Sequence, residues 1–380
     1  MSEFDVKRTR ADFLARVWRT VPVLKEPVLA ILVCALVVLQ IAHPRPWASR
    51  PGLVDWQTVS TLAGLLILTK AIELSGFLMW AAHRLVHHIH GERTLALLLV
   101  ALAAALSTVL TNDVALFAVV PLVLSLHKLA PLPIRRLVIV IALAVNAGSV
   151  LTPLGNPQNL FLWQTSGVGF PAFVWALLPL CAALMALLGV VTFSMFRPKP
   201  LDLSGDVEAH PVDRVLCCVS VLAFAAFVAL ADAHHVGPAL VVLAAAFLLW
   251  RREVVFRIDW LLLLIFVLMF IVLCSAAALP AIHDGIAHLG VGTPVRAYAA
   301  GAVLSQAISN VPAAIVLAEF SRDWRALAFG VSVGGFGVAI GSLANLIAVR
   351  LSGEKGMWMP FHIVSIPFWI VAMLIGWALV

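Results

Sequence analysis

From Trp260 to Pro280 the chain carries no charged residue. Wound as a helix, such a run is roughly 30 Å long, the thickness of the hydrocarbon core of a bilayer. Apolar runs recur along the whole chain, at about 27–43, 54–80, 93–111, 114–130, 134–162, 170–195, 212–231, 236–250, 258–280, 294–308, 312–320, 325–351 and 358–380. Of the 380 residues 63% are apolar and 12% are charged, where an ordinary soluble domain has about 25% charged. A backbone surrounded by lipid has to satisfy its own hydrogen bonds, which a helix does within a single segment. The pattern predicts an all-α polytopic membrane protein. It excludes a disordered tail, a nucleic-acid binder and a typical soluble enzyme. The net charge of +6 fits basic loops on the cytoplasmic side of a membrane rather than a nucleic-acid footprint. The five cysteines fall in apolar runs without a CxxC pair, so neither a disulfide framework nor a zinc ribbon is expected. Residues 1–26 are polar and basic with no apolar stretch before a cleavage site, so no cleaved signal peptide is expected.

Two pairs of runs are too closely joined for each member to be a full span. Thr111-Asn112-Asp113 separates 93–111 from 114–130, and Ser309-Asn310-Val311-Pro312 separates 294–308 from 312–320. A turn of two or three residues cannot leave a bilayer and re-enter it through solvated loops. A re-entrant hairpin with its polar tip buried in protein fits better. With hairpins at 93–130 and 294–322, about nine spans remain. The organisation expected is a cytoplasmic segment 1–26, a first membrane half 27–195, a cytoplasmic linker 196–214 and a second membrane half 215–380. With the N-terminus inside, five of the 25 lysines and arginines (Arg45, Arg50, Arg296, Arg322 and Arg325) fall outside, Lys70 lies in a span, and the remaining 19 fall in cytoplasmic segments. That asymmetry supports the orientation, although two short extra spans would leave it unchanged.

The chain also repeats itself. Val54-Asp55-Trp56 opens one long apolar run and Ile258-Asp259-Trp260 another. Each is followed by a hairpin tip and then by an interrupted helix, at Gly155-Asn156-Pro157-Gln158-Asn159 and at Gly341-Ser342-Leu343-Ala344-Asn345. Five spans, an odd number, separate the two openings, so the repeats are inverted. Inverted repeats with interrupted helices are the construction of a secondary transporter with a central site.

Candidate site residues follow from this layout. Thr111, Asn112, Ser309 and Asn310 stand at the tips, where polar groups are costly and usually functional. Asp113, the only acid at either tip, is a candidate Na⁺ ligand or proton carrier; the plainer reading is an interhelical hydrogen bond. At the first break Pro153 and Pro157 remove backbone donors and open the helix. The freed carbonyls and the amides of Asn156 and Asn159 offer hard oxygen ligands, and the restarting half-helix offers N–H groups to an anion. Gln158 joins the amide cluster, which a simple proline kink would not require. At the second break Gly330/Gly334 and Gly337/Gly341 have the spacing of close helix packing, which leaves Ser342 and Asn345 unexplained. The candidate substrate ligands are therefore Thr111, Asn112, Asn156, Asn159, Ser309, Asn310, Ser342 and Asn345. The candidate coupling-ion ligands are Asp113 and the backbone at Gly155 and Gly341. Lys70 and Glu73, at i,i+3, are read as a structural ion pair. His83, His87, His88 and His90 resemble a metal set only weakly, since Glu92 is the sole acid beside them. No P-loop, HExxH, GxSxG or dinucleotide fingerprint is present, so neither an enzyme nor an ATP-driven pump is expected, and no cofactor beyond a coupling ion.

Together the four motifs resemble the ion transporter superfamily, the citrate, arsenite and anion permeases with a citrate-transporter-like domain. The resemblance covers about residues 50–375. It implies a scaffold that carries a homodimer interface and a transport part that contains both hairpins and moves as an elevator. It also implies that Asn112 and Asn310 contact substrate and that Asn156, Asn159, Ser342 and Asn345 complete the substrate and cation shell. Anion members of the family often carry Ser-Asn-Thr at both tips. Here the tips are Thr-Asn-Asp and Ser-Asn-Val-Pro, and the first looks more like the arsenite and Na⁺/H⁺ antiporter branches. The expected function is secondary active transport of a small carboxylate or inorganic oxyanion coupled to Na⁺ or H⁺, in the plasma (inner) membrane. The alternative is metalloid efflux or Na⁺/H⁺ antiport.

Overall fold

The computed structural model describes residues 27–44, 46–86, 89, 91–201 and 211–380. The N-terminal segment 1–26 and the middle of the linker, 202–210, lie outside them. Among the described residues eighteen α-helices follow one another. The first nine are α1 Pro27–Ala42, α2 Trp56–Leu74, α3 Phe77–Val86, α4 Glu92–Val109, α5 Asn112–Leu129, α6 Ile134–Gly148, α7 Pro157–Ser166, α8 Phe170–Met195 and α9 Arg214–Asp232. The second nine are α10 Val236–Trp250, α11 Arg252–Phe256, α12 Trp260–Ala277, α13 Pro280–His288, α14 Pro294–Ile308, α15 Asn310–Ala318, α16 Trp324–Gly334, α17 Leu343–Leu351 and α18 Trp358–Leu379. No strand forms among the described residues. Among the described residues six helices (α2, α4, α8, α9, α12 and α18) are long and apolar enough to cross a membrane, and α1 and α10 are shorter apolar helices.

The two Asp-Trp openings have a local cause. Asp55 caps α2, its carboxylate accepting from the N–H groups of Gln57 and Thr58. Asp259 caps α12 by accepting from Leu262 N–H at 2.9 Å. In each case the neighbouring indole donates to a carbonyl five residues upstream, Trp56 to Pro51 at 3.0 Å and Trp260 to Val255 at 3.1 Å. From these openings α2–α8 and α12–α18 present one order of elements. A capped long helix leads to a short helix, then two helices across a tight turn, a helix that stops and restarts, and a closing helix with an internal proline, Pro179 or Pro367.

Polar contacts fix the ends of the bundle. The first N–H of α8, at Phe170, donates to Asp232 at the end of α9 at 2.6 Å. The far end of α8 meets the starts of α4 and α6, where Arg93 donates to Phe196 O at 2.8 Å and Arg136 to Met195 O at 3.3 Å. Beside them Arg135 pairs with Glu354 at 2.8 Å. Asp213, at the start of α9, pairs with Arg251 at 2.8 Å and donates its N–H to Ser75 O at the end of α2. These groups form a basic end. At the opposite end the start of α16 meets the start of α8, with Trp324 stacked on Phe173 at 5.2 Å.

Burial is inverted relative to a soluble bundle. Ile41, Trp175, Leu222 and Leu249 point outward and are largely exposed, as apolar side chains facing lipid would be. The two interrupted helices lie innermost, with every residue of Leu137–Gly148 and Ala326–Gly334 buried. Their broken backbones are thus surrounded by protein, the only setting in which lipid tolerates them. The glycines of α16 permit this packing. A Cβ at Gly330 would collide with the Tyr298 carbonyl of α14, and Gly334 faces Ser305. The close-packing reading of that pair therefore holds.

Candidate functional site

The tip between α4 and α5 rests on the break between α6 and α7. Asn112 N–H donates to Gly155 O at 3.1 Å, and Thr152 Oγ1 donates to the Thr108 carbonyl. A Cβ at Gly155 would collide with Ser107 O, so only glycine lets the tip approach this closely. The break itself is braced by amides. Asn156 is the N-cap of α7; its Oδ1 accepts from Asn159 N–H at 2.8 Å while its Nδ2 donates to Ser149 O at 3.0 Å. Asn159 Nδ2 donates to Val150 O at 3.2 Å.

The tip between α14 and α15 turns on Ser309 alone, at φ 74° and ψ 156°. That region is essentially reserved for glycine, and a serine held there is strained. Gln306, one turn earlier, braces the second break: its Nε2 donates to Gly334 O at 2.7 Å and its Oε1 accepts from Val338 N–H at 2.7 Å. From α18, Ser365 donates to Gly337 O at 2.6 Å and His362 Nε2 accepts from Ala339 N–H at 3.1 Å. The two halves are joined at their centre. Asn146 Nδ2, on α6, donates to Asn345 Oδ1, on α17, at 2.8 Å, and Asn345 Nδ2 donates to Gly335 O at 2.9 Å.

Both tips open into one cavity of about 400 Å³. Thr111, Asn112, Asp113, Ser309, Asn310 and Ser342 line it, together with Gln158 and the first residues of α15 and α17. α1 and α12 add apolar side chains to the lining, among them Ile31, Leu32, Phe266 and Met269. Thr111 Oγ1, Asn112 Oδ1 and Ser309 Oγ are buried and have no hydrogen-bond partner. Orphaned buried polar atoms are rare in native proteins and call for an explanation. Asn156, Asn159, Asn345, Gly155 and Gly341 do not line this cavity. The three amides stand behind it and hold the breaks open. Lys70 and Glu73 pair with each other at 2.7 Å, away from the cavity. His87, His88, His90 and the side chain of His83 lie outside the described groups, and among the described residues no cluster of three His, Cys, Asp or Glu is placed to hold a metal.

Sequence reasoning missed Asn146 and Gln306. Each is a lone amide in an otherwise apolar run, and a polar group in such a place was the available signal.

Outward-facing apolar helices around a cavity that two helix breaks and their polar tips share, within an otherwise apolar lining, are the construction of a transmembrane transporter. The chain belongs to the citrate transporter family, whose profile matches residues 14–322. It is 40% identical over 336 residues to the inner membrane protein YbiR of Escherichia coli, covering 88% of this chain and 90% of that protein. It is 29% identical over 309 residues to an uncharacterized transporter of Methanocaldococcus jannaschii, covering 79% and 82%. An uncharacterized transporter of Mycobacterium tuberculosis is 26% identical over 349 residues, covering 81% of each chain.

Proposed function

We propose that this chain is a secondary active transporter of a small anion, a carboxylate or an inorganic oxyanion, coupled to Na⁺ or H⁺. The observation that carries this reading is the convergence of four helix N-termini, those of α5, α7, α15 and α17, on one cavity beside orphaned tip hydroxyls. The first N–H groups of a helix have no intrahelical acceptor and, with the helix dipole, favour an anion. Substrate meets Thr111, Asn112, Ser309, Asn310 and Ser342 directly. Asn156, Asn159 and Asn345 act through the breaks they brace. Asp113 is the coupling group, and the backbone at Gly155 and Gly341 is assigned to the same coupling role, Gly155 O already meeting the tip at Asn112 N–H. A carboxylate there repels an anion until a cation or proton neutralises it, and that dependence couples the two.

The helix pairs α4–α5 and α14–α15 are re-entrant hairpins of an inverted repeat. The first is rooted at the basic end, and the second at the end marked by Trp324. The nine spans are α1, α2, α6–α7, α8, α9, α10, α12, α16–α17 and α18, with the basic end and the N-terminus cytoplasmic. The hairpins and broken helices move together as an elevator against α1, α2, α9, α10 and α12, and a homodimer forms through that scaffold. One observation favours metalloid efflux or Na⁺/H⁺ antiport as a second reading. Asp113 is not in any of the ion pairs among the described residues, Lys70–Glu73, Arg135–Glu354 and Arg251–Asp213, so it is available to exchange a proton.

The test is charge movement by the reconstituted protein on a solid-supported membrane. Succinate, citrate, sulfate, phosphate, acetate and arsenite are each applied under a Na⁺ or a H⁺ gradient. A current that needs both an anion and one cation gradient, and that falls at least tenfold in Asn112→Ala, is expected. Movement of arsenite alone, or of H⁺ against Na⁺ with no anion, would replace symport by the second reading.

A further inference from the structure

A second cavity, of about 1050 Å³, lies at the basic end and shares no lining residue with the one at the tips. Arg135, Arg136, Arg197 and Lys199 line it, with Glu92 and Glu354 as the carboxylates. His127 lines it too and accepts Leu132 N–H on Nδ1 at 3.0 Å, so that nitrogen carries no proton and the ring is neutral. The lining thus holds an excess of two positive charges. Glu354 is already paired with Arg135, whereas Arg197 and Lys199 are in none of the ion pairs among the described residues. Basic residues gather at the cytoplasmic face of membrane proteins in general, but that tendency does not require them to share a cavity. Here they arrive from two segments far apart in sequence, the start of α6 and the stretch after α8. Arg136 ties the two together by donating to Met195 O at 3.3 Å. A guanidinium presents several donors to the oxygens of a phosphate, and a lysine adds a point charge.

The helix that ends at this cavity has an exposed apolar face. Val190 and Phe193 point outward from α8, a helix long and apolar enough to cross a membrane. Phe193 carries the Arg93 guanidinium over its ring at 4.0 Å, and it lies two residues before the carbonyl that Arg136 holds. The charged cavity and the lipid-facing side of α8 are therefore neighbours. A water-soluble anion is matched by the cavity alone. A phospholipid is matched by both, with its phosphate among the arginines and its acyl chains along α8. Basic pockets between helices at a membrane face take anionic headgroups in this way. We infer that the cavity at the basic end is a binding site for the headgroup of an anionic phospholipid.

Native mass spectrometry of the purified full-length chain in detergent tests it. Phosphatidylglycerol and phosphatidylethanolamine with identical acyl chains are offered in equal amounts, and the lipid-bound populations are compared. A preference of at least fivefold for phosphatidylglycerol is expected, falling to twofold or less in Arg197→Gln/Lys199→Gln. Both of those side chains are exposed, so the variant should fold. Arg252→Gln/Arg257→Gln removes the same number of exposed charges outside the cavity and should keep the full preference. Equal loss in the two double variants would mean a diffuse attraction to the basic end and would overturn the site. So would a native chain that binds the two lipids alike. Glycerol 1-phosphate at tenfold excess should leave the bound phosphatidylglycerol in place; its displacement would mean that the cavity takes a soluble anion without the help of α8. A preference that emerges only in Asp206→Asn/Glu208→Gln would assign the cavity to the acidic linker and not to lipid.

Discussion

Asn146 and Asn345 join the two interrupted helices by a buried side-chain hydrogen bond 2.8 Å long. The amide of Asn345 is oriented by its own donation to Gly335 O, so its Oδ1 faces Asn146 as an acceptor. Replacing Asn146 by Ala leaves that oxygen buried without a donor, which costs about 1–3 kcal/mol. Asn146→Asp costs more, since an ionised carboxylate would face an amide oxygen. Thermal unfolding followed by tryptophan fluorescence should rank wild type above Asn146→Ala and Asn146→Asp last. An Asp variant as stable as the Ala variant would remove this account of the contact. The tip residues were legible at this scale because Thr111, Asn112, Asp113, Ser309 and Asn310 interrupt apolar runs. Legibility stopped at direction. Asn156, Asn159 and Asn345 were recognisable as polar groups in the right places, but only local hydrogen bonding turns them toward Ser149, Val150 and Gly335 rather than into the cavity.

Elements behave differently according to what their glycines touch. Gly330 in α16 lies against the Tyr298 carbonyl, while around Gly189 in α8 a Cβ would meet nothing within 4 Å. Gly330→Ala should therefore cost about 1–3 kcal/mol through overpacking. Gly189→Ala should be neutral or stabilise α8 by up to about 1 kcal/mol through helix propensity. The monodisperse fraction on size exclusion after a heating series checks both, and equal behaviour of the two variants would contradict the packing of α14 on α16. The prolines show where an element-level reading needs refinement. Pro153 lies inside the break, as expected of a helix breaker. Pro157 instead occupies the first turn of α7, where the missing N–H costs nothing and the fixed φ suits a helix start. The helix on each side of a tip was predictable from two apolar runs around a short polar segment, but the single-residue turn at Ser309, with its positive φ, was not.

At the scale of the molecule the basic end gathers Arg93, Arg135, Arg136 and Arg251, and the opposite end carries Asp232, Glu319 and Arg322. If the basic end is cytoplasmic, a membrane-impermeant maleimide will label Arg322→Cys in intact cells and Lys355→Cys only after permeabilisation, in a background without the five native cysteines. The reverse pattern would invert the proposed topology. Run length, hydropathy and punctuation by Pro, Gly, Asn and Asp determined by themselves that the chain is helical, membrane-embedded and interrupted at four points, because each of these depends on residues near in sequence. Tertiary structure alone decided that the four interruptions share one cavity, that Asn146 reaches Asn345 across 199 positions, and that apolar side chains of α1 and α12 line the same cavity. Those depend on which helix faces stack, and helices that are apolar on nearly every side leave almost no pattern in the sequence from which to read their neighbours.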